Sequence, residues 1–123
     1  MTSDTKALNL DQFWRWVTVH YNCIIRAGND SCLLFDLPDL HWHLTREDGL
    51  LYVQLIRAKD LIAELAIDPT VVLYVEATPQ QEEEQVIFDL VADVDGEPMS
   101  VFHFLMVHGY DEAADAQRRS WTH

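Results

Sequence analysis

The sequence has few of the features that mark a secreted or membrane protein. Its 123 residues include only two cysteines, Cys23 and Cys32, and their spacing fits neither a disulfide scaffold nor a zinc site. The apolar runs, such as residues 71–75, fall far short of the roughly 20 residues that span a bilayer. The first residues lack the basic start and apolar stretch of a signal peptide. We therefore expect a cytoplasmic protein with reduced thiols.

Lysine and arginine are missing from one long stretch, Asp60 to Gln117, which carries fourteen acidic residues. The first 59 residues are nearly neutral, with seven acidic against six basic residues, and the whole chain has a formal net charge of −13. A field of this sign repels phosphate backbones and anionic lipid, so we expect no nucleic-acid and no membrane binding. It attracts a basic protein partner. A solvated face that keeps the protein in solution and an evenly acidic, salt-adapted surface are the alternative interpretations.

Short catalytic motifs are also missing. The chain has no Gly-x-Ser-x-Gly, no phosphate-binding Gly-Lys-Ser/Thr loop and no Cys-x-x-Cys, the patterns that mark many hydrolase, nucleotide and redox sites. The leading interpretation is a non-catalytic interaction protein that forms a homo-oligomer. The alternatives are a small-ligand-binding domain and a metal-dependent enzyme.

Apolar residues make up 49% of the chain, enough for one packed core and a single domain over residues 10–123. Residues 1–9 are expected to be a flexible leader. Asn9 and Gln12 have the spacing of a capping box, which predicts an amphipathic helix from Leu10 to about Asn22. On that helix Trp14 is expected to face the core and Trp16 to face away from it.

The rest of the chain predicts mainly strands, because short apolar or alternating runs are separated by turn residues. One helical face, at Ala58, Leu61, Ile62 and Leu65, predicts a short helix between strands. A second short helix is expected over residues 111–119. The predicted strands lie at residues 32–35, 41–45, 50–56, 71–76, 86–93 and 100–107. The fold class is α+β, a mainly antiparallel sheet or small split barrel with an N-terminal amphipathic helix and one short helix between strands.

The segments from Asp48 to Val53 and from Leu61 to Glu76 carry a strand, a predicted helix ending at Asp68-Pro69, and a strand directly after it. This order resembles the pyridoxamine-phosphate-oxidase-like family of flavin-binding split barrels. The resemblance implies a dimeric split barrel with FMN as a possible cofactor. The family's phosphate-binding cation aligns with Leu61 here. Two nearby cations remain as candidate phosphate ligands, Arg57 and Lys59.

Four residues are candidate ligands of a divalent metal. His41 and His43 alternate along a predicted strand and therefore share a face. Glu47 follows four residues later, and His103 lies on a late strand. Three imidazoles and a carboxylate suit zinc, iron or manganese. Solvent-exposed or hydrogen-bonded histidines are the alternative interpretation.

Overall fold

The structure is a computed structural model that describes residues 5–81 and 84–110. Elements are numbered in chain order, and a 3-10 turn spans Tyr21–Cys23. They are β1 (Lys6–Leu8), α1 (Leu10–Val19), β2 (Ile24–Gly28), β3 (Leu33–Phe35), β4 (His41–Glu47), β5 (Leu50–Arg57), β6 (Asp60–Ile67), β7 (Val72–Pro79), β8 (Val86–Val94) and β9 (Glu97–Met106).

The strands form two open antiparallel sheets. The larger has six strands in the order β1-β7-β8-β9-β2-β3, and the smaller has the order β4-β5-β6. Every strand pair is antiparallel. The α+β class with a mainly antiparallel sheet is therefore confirmed, and in the described part of the chain the sheets do not close into a barrel. No helix there is long and apolar enough to cross a membrane.

Helix α1 begins at the predicted capping box. The backbone N–H of Gln12 donates to Oδ1 of Asn9 at 2.7 Å, and the N–H of Asn9 donates to Oε1 of Gln12. These bonds satisfy donors that the first turn leaves without partners. The helix ends at Val19, earlier than predicted, because the N–H of His20 bonds the carbonyls of both Trp16 and Val17 and the chain enters the 3-10 turn.

One aromatic cluster joins the helix to the larger sheet. The ring centroid of Phe13 lies 4.9 Å from that of Phe88 on β8 and 5.3 Å from that of Phe104 on β9. Trp16 packs on the same Phe88 ring and is only 1% exposed. The expectation that Trp16 faces away from the core is therefore wrong. Trp14 is buried as expected, so the apolar stripe of α1 is wide enough to cover both tryptophans.

The predicted helix at residues 58–65 is a strand instead. Ala58 and Lys59 form a tight turn between β5 and β6, with Ala58 at a positive φ of 56°. In β6 the half-buried or buried side chains alternate at Ala63, Leu65 and Ile67, the period of a strand. The spacing of Ala58, Leu61, Ile62 and Leu65 also fits a helical face, and pairing along most of β5 decides between the two.

Both chain ends differ from the expectation or lie outside the described residues. Within the segment expected to be a flexible leader, Lys6–Leu8 forms strand β1, in which Lys6 pairs with Ala77 and Leu8 with Val75. The helix expected over residues 111–119 lies outside the described residues.

Candidate functional site

The structure divides the four candidate metal ligands between the two sheets. His41, His43 and Glu47 lie on β4, and all three are exposed. Nδ1 of His43 lies 2.8 Å from Oε1 of Gln54. The amide of Gln54 in turn donates to Glu64 at 2.7 Å. The His43 ring is thus part of a polar ladder that crosses the three strands of the smaller sheet.

The fourth candidate, His103, lies on β9 of the larger sheet. Its Nε2 accepts a hydrogen bond from Nε of Arg26 at 3.1 Å. In the described part of the chain, no three His, Cys, Asp or Glu side chains are grouped so that they could hold a metal ion. The sequence spacing placed His41 and His43 correctly on one face of a strand, whereas it held no information on the distance to His103.

His103 belongs to a polar row on the outward face of the larger sheet. Register places it directly opposite Asp89 on β8, and Glu76 on β7 lies opposite Asp89 in turn. Ser100 donates its hydroxyl proton to Asp89 at 2.8 Å. Burial and the positive charge of Arg26 lower the pKa of His103, while Asp89 and Asp30 act in the opposite sense. Because Ser100 bonds the carboxylate rather than the imidazole, the group has no nucleophile–base contact of the Ser-His-Asp kind.

The two candidate phosphate ligands lie at the β5–β6 turn. Arg57 ends β5 and forms an exposed ion pair with Asp39 at 3.5 Å, and Lys59 is exposed in the turn. The short helix that the flavin-binding resemblance requires next to them is strand β6. Flavin binding remains a prediction.

Two of the open clefts on the surface adjoin β1 and β4. One, of about 710 Å³, is formed by residues of β1 and β7 with Val86, Gly109 and Tyr110. The other, of about 460 Å³, lies between the end of α1 and β4 and is lined by His41 and His43. Between these histidines Trp42 is buried, and its Nε1 has no hydrogen-bond partner among the described residues.

Carboxylates gather at one end of the larger sheet. The β8–β9 turn exposes Asp93, Asp95 and Glu97. Asp68 lies just before β7, whose first residue, Val72, pairs with Ala92 next to this turn. Thr70 donates to Oδ1 of Asp68 from its hydroxyl and its backbone N–H, and these bonds lower the pKa of Asp68. The Asp68 carboxyl is therefore ionised at neutral pH.

Large apolar side chains are also exposed at this end of the larger sheet. Register sets Met99 on β9 opposite Ala92, the same residue that Val72 pairs with. Met99 is 50% exposed and Leu73 is 59% exposed. Strand β2 pairs with β9 only from His103 to Met106, so it does not reach this part of β9. We call this surface the acidic end. It consists of Asp68, Val71, Leu73, Asp93, Val94, Asp95, Glu97 and Met99.

Sequence reasoning found the charge of this surface but not its apolar part. Val71, Leu73, Val94 and Met99 lie in predicted strands or next to them, where apolar residues are expected to be buried. Their exposure follows from strand pairing, which the local pattern does not encode. No family model, curated protein or solved structure matches the chain.

Proposed function

We propose that the chain is a non-catalytic binding protein whose acidic end engages a basic, partly apolar segment of another protein. One observation carries the proposal: exposed apolar side chains and four carboxylates lie at the same end of the larger sheet, in a stretch of chain that contains no lysine or arginine. A solvated face that serves only to keep the protein in solution has no need of exposed Leu73 and Met99.

The two parts of the surface have different roles. An exposed ion pair contributes only about 0.2–1 kcal/mol, so the carboxylates mainly steer the partner and select its charge. Covering apolar surface contributes about 25 cal/mol per Å², and the exposed apolar side chains supply that contact. A partner of alternating basic and apolar character satisfies both.

Self-association is proposed through a different surface. Two acidic ends repel each other, whereas the edge strand β3, two strands away from β9, exposes Leu33 and Phe35. A homo-oligomer formed there leaves the acidic end accessible. A cytoplasmic location is also part of the proposal, supported by the free state of both cysteines.

The proposal is tested with a fluorescent peptide of alternating lysine and leucine, read by anisotropy. The triple variant Asp93→Asn, Asp95→Asn and Glu97→Gln removes three charges. At residue 93 the asparagine keeps a side-chain oxygen that can accept from the N–H of Gly96, as the Asp93 carboxylate does. At residue 95, where φ is 53°, asparagine tolerates the backbone conformation. We expect Kd to rise about tenfold, from the loss of exposed ion pairs.

The matched control removes three charges elsewhere, in the variant Asp36→Asn, Glu47→Gln and Asp48→Asn. These residues are exposed in the chain's nearly neutral half. The control is expected to bind with nearly the wild-type Kd. Equal weakening by the two triple variants would show that net charge alone, rather than this surface, binds the peptide. Leu73→Ser tests the apolar part and is expected to weaken binding without changing its salt dependence.

A further inference from the structure

The thiol of Cys23, just before β2, contacts the imidazole of His108, just after β9. Nε2 of His108 lies 3.2 Å from Sγ of Cys23, although the two residues are 85 positions apart in the chain. The backbone fixes this approach, because the N–H of Val107 donates to the carbonyl of Cys23 at 2.9 Å. Neither side chain is needed for the proposed binding surface.

The contact made by Nδ1 of His108 determines which of the two ring nitrogens carries the proton. Nδ1 lies 3.0 Å from the carbonyl oxygen of Gly109. A carbonyl oxygen only accepts, so Nδ1 donates and Nε2 presents its lone pair to the thiol. A nucleophile, a base and a group that orients the base are therefore in contact, with a backbone carbonyl as the orienting group.

Two aromatic rings restrict the His108 ring. His108 meets Trp16 edge to face, with ring centroids 5.7 Å apart and an interplanar angle of 86°. It meets His20 in the same way at 5.3 Å. His20 is itself stacked on Trp16, and its Nδ1 bonds the Trp16 carbonyl at 2.8 Å. Cys23 and His108 are both only half-buried, so neither residue is closed off from solvent.

We propose that Cys23 and His108 form a reactive dyad and that Cys23 undergoes thiol–disulfide exchange with small-molecule disulfides. The Cys23 proton passes to Nε2 of His108, and the thiolate sulfur attacks one sulfur of the disulfide. A new S–S bond forms to Cys23 while the original S–S bond breaks. The electron pair leaves on the second sulfur, which takes the proton from His108. The products are a mixed disulfide at Cys23 and one free small-molecule thiol.

Cys32 is a control within the same chain. It is exposed directly before β3, and its Sγ has no hydrogen-bond partner among the described residues. If exposure alone set the reaction rate, Cys32 would react faster than the half-buried Cys23. The dyad predicts the opposite order.

The test incubates the full chain with oxidised glutathione and follows both mixed disulfides by peptide mass spectrometry over a range of pH. At neutral pH we expect Cys23 to react about tenfold faster than Cys32, since a thiol without a base is only a few per cent thiolate. The rate at Cys23 is expected to follow a different pH profile from the rate at Cys32. Equal rates with superimposed pH profiles in the wild-type protein would overturn the proposal, and this measurement needs no substitution.

Variants then separate activation from accessibility. His108→Gln removes the base, and the rate and pH profile of Cys23 are expected to become those of Cys32. His41→Gln, at an exposed histidine of β4, retains the base and is expected to leave the rate and pH profile of Cys23 unchanged. A His108→Gln protein that folds like the wild type and keeps the fast rate at Cys23 would contradict the role of the imidazole.

Discussion

Arg26 donates a hydrogen bond from Nε to Nε2 of His103 at 3.1 Å, across the pair of strands β2 and β9. Because Nε2 accepts this hydrogen bond, it carries no proton, and His103 is in its neutral form. The sequence predicts His103 as a metal ligand, and a metal ion would bind to this same lone pair of Nε2. In the structure, the lone pair of Nε2 faces the guanidinium of Arg26 instead of a metal ion.

The pKa of His103 is lowered by burial and by Arg26, and this predicts how stability depends on pH. An unfolded histidine titrates near pH 6.5, so just below that pH the unfolded chain binds a proton that the folded chain does not. The contribution of His103 to stability is therefore fully present above about pH 6.5 and is lost as the pH falls towards the lower folded pKa.

His103→Gln tests this pH dependence, because glutamine does not titrate and its carbonyl oxygen can accept from Arg26. Urea unfolding at pH 7 and pH 5 is expected to show a smaller loss of stability for His103→Gln than for the wild type. In Arg26→Gln, the pKa of His103 measured by NMR is expected to rise. An equal pH dependence of all three proteins would contradict the assignment.

Ala58 provides a test of the β5–β6 hairpin. Its φ of 56° costs an L-residue about 1–2 kcal/mol, which glycine avoids. Glycine also loses more backbone entropy than alanine when the chain folds, and this cost offsets part of the gain. Ala58→Gly is therefore expected to stabilise the protein by about 0.5–1 kcal/mol. In a helix the same change would destabilise by about 1 kcal/mol, so the sign of the shift in urea midpoint distinguishes the two structures. Ala63→Gly, inside β6, is the destabilising control.

Phe13 is the centre of the cluster that joins α1 to the larger sheet. It is fully buried and contacts Phe88 and Phe104. Phe13→Ala is expected to cost about 3–5 kcal/mol, a large share of the stability of a small domain. Phe13→Leu retains much of the volume and is expected to cost less. Ile62→Val is the surface control, since Ile62 is half-exposed on β6, and a change within about 0.5 kcal/mol is expected there.

The capping box predicts a smaller and more local effect. Asn9→Ala removes the acceptor for the N–H of Gln12 and is expected to cost about 1 kcal/mol, whereas Asn9→Ser keeps a capping oxygen and most of the stability. Because Asn9 and Gln12 bond each other reciprocally, the double alanine variant is expected to lose less than the sum of the single losses. Strict additivity in chemical denaturation would show that the two bonds act independently.

Local chemistry in the sequence predicts part of this fold well. Asn9 and Gln12 mark the start of α1 because both partners of the cap lie within one turn. The alternation in β8 places Phe88 and Leu90 in the core, since neighbouring side chains on a strand point to opposite faces. The fold class follows from the same short-range patterns.

The errors have a common physical origin, which is that tertiary pairing decides between local alternatives. Residues 58–65 fit a helical face and a strand equally well until β5 provides a partner. The sequence pattern assigns Trp16 to the outside of α1 because it does not show how wide the buried face of the helix is. The contact between Cys23 and His108 depends on the register of β2 against β9, which no spacing in the sequence reveals.

The central claim is that carboxylates and exposed apolar side chains form one binding surface at the end of the larger sheet. Titration of the isotope-labelled protein with the lysine–leucine peptide, followed by amide chemical shifts, tests it most directly. We predict shift changes concentrated at residues 68–73 and 93–99, which weaken as salt is added. Changes of similar size at Asp36, Glu47 and Asp48, or changes centred on the β4–β5 turn, would contradict the account.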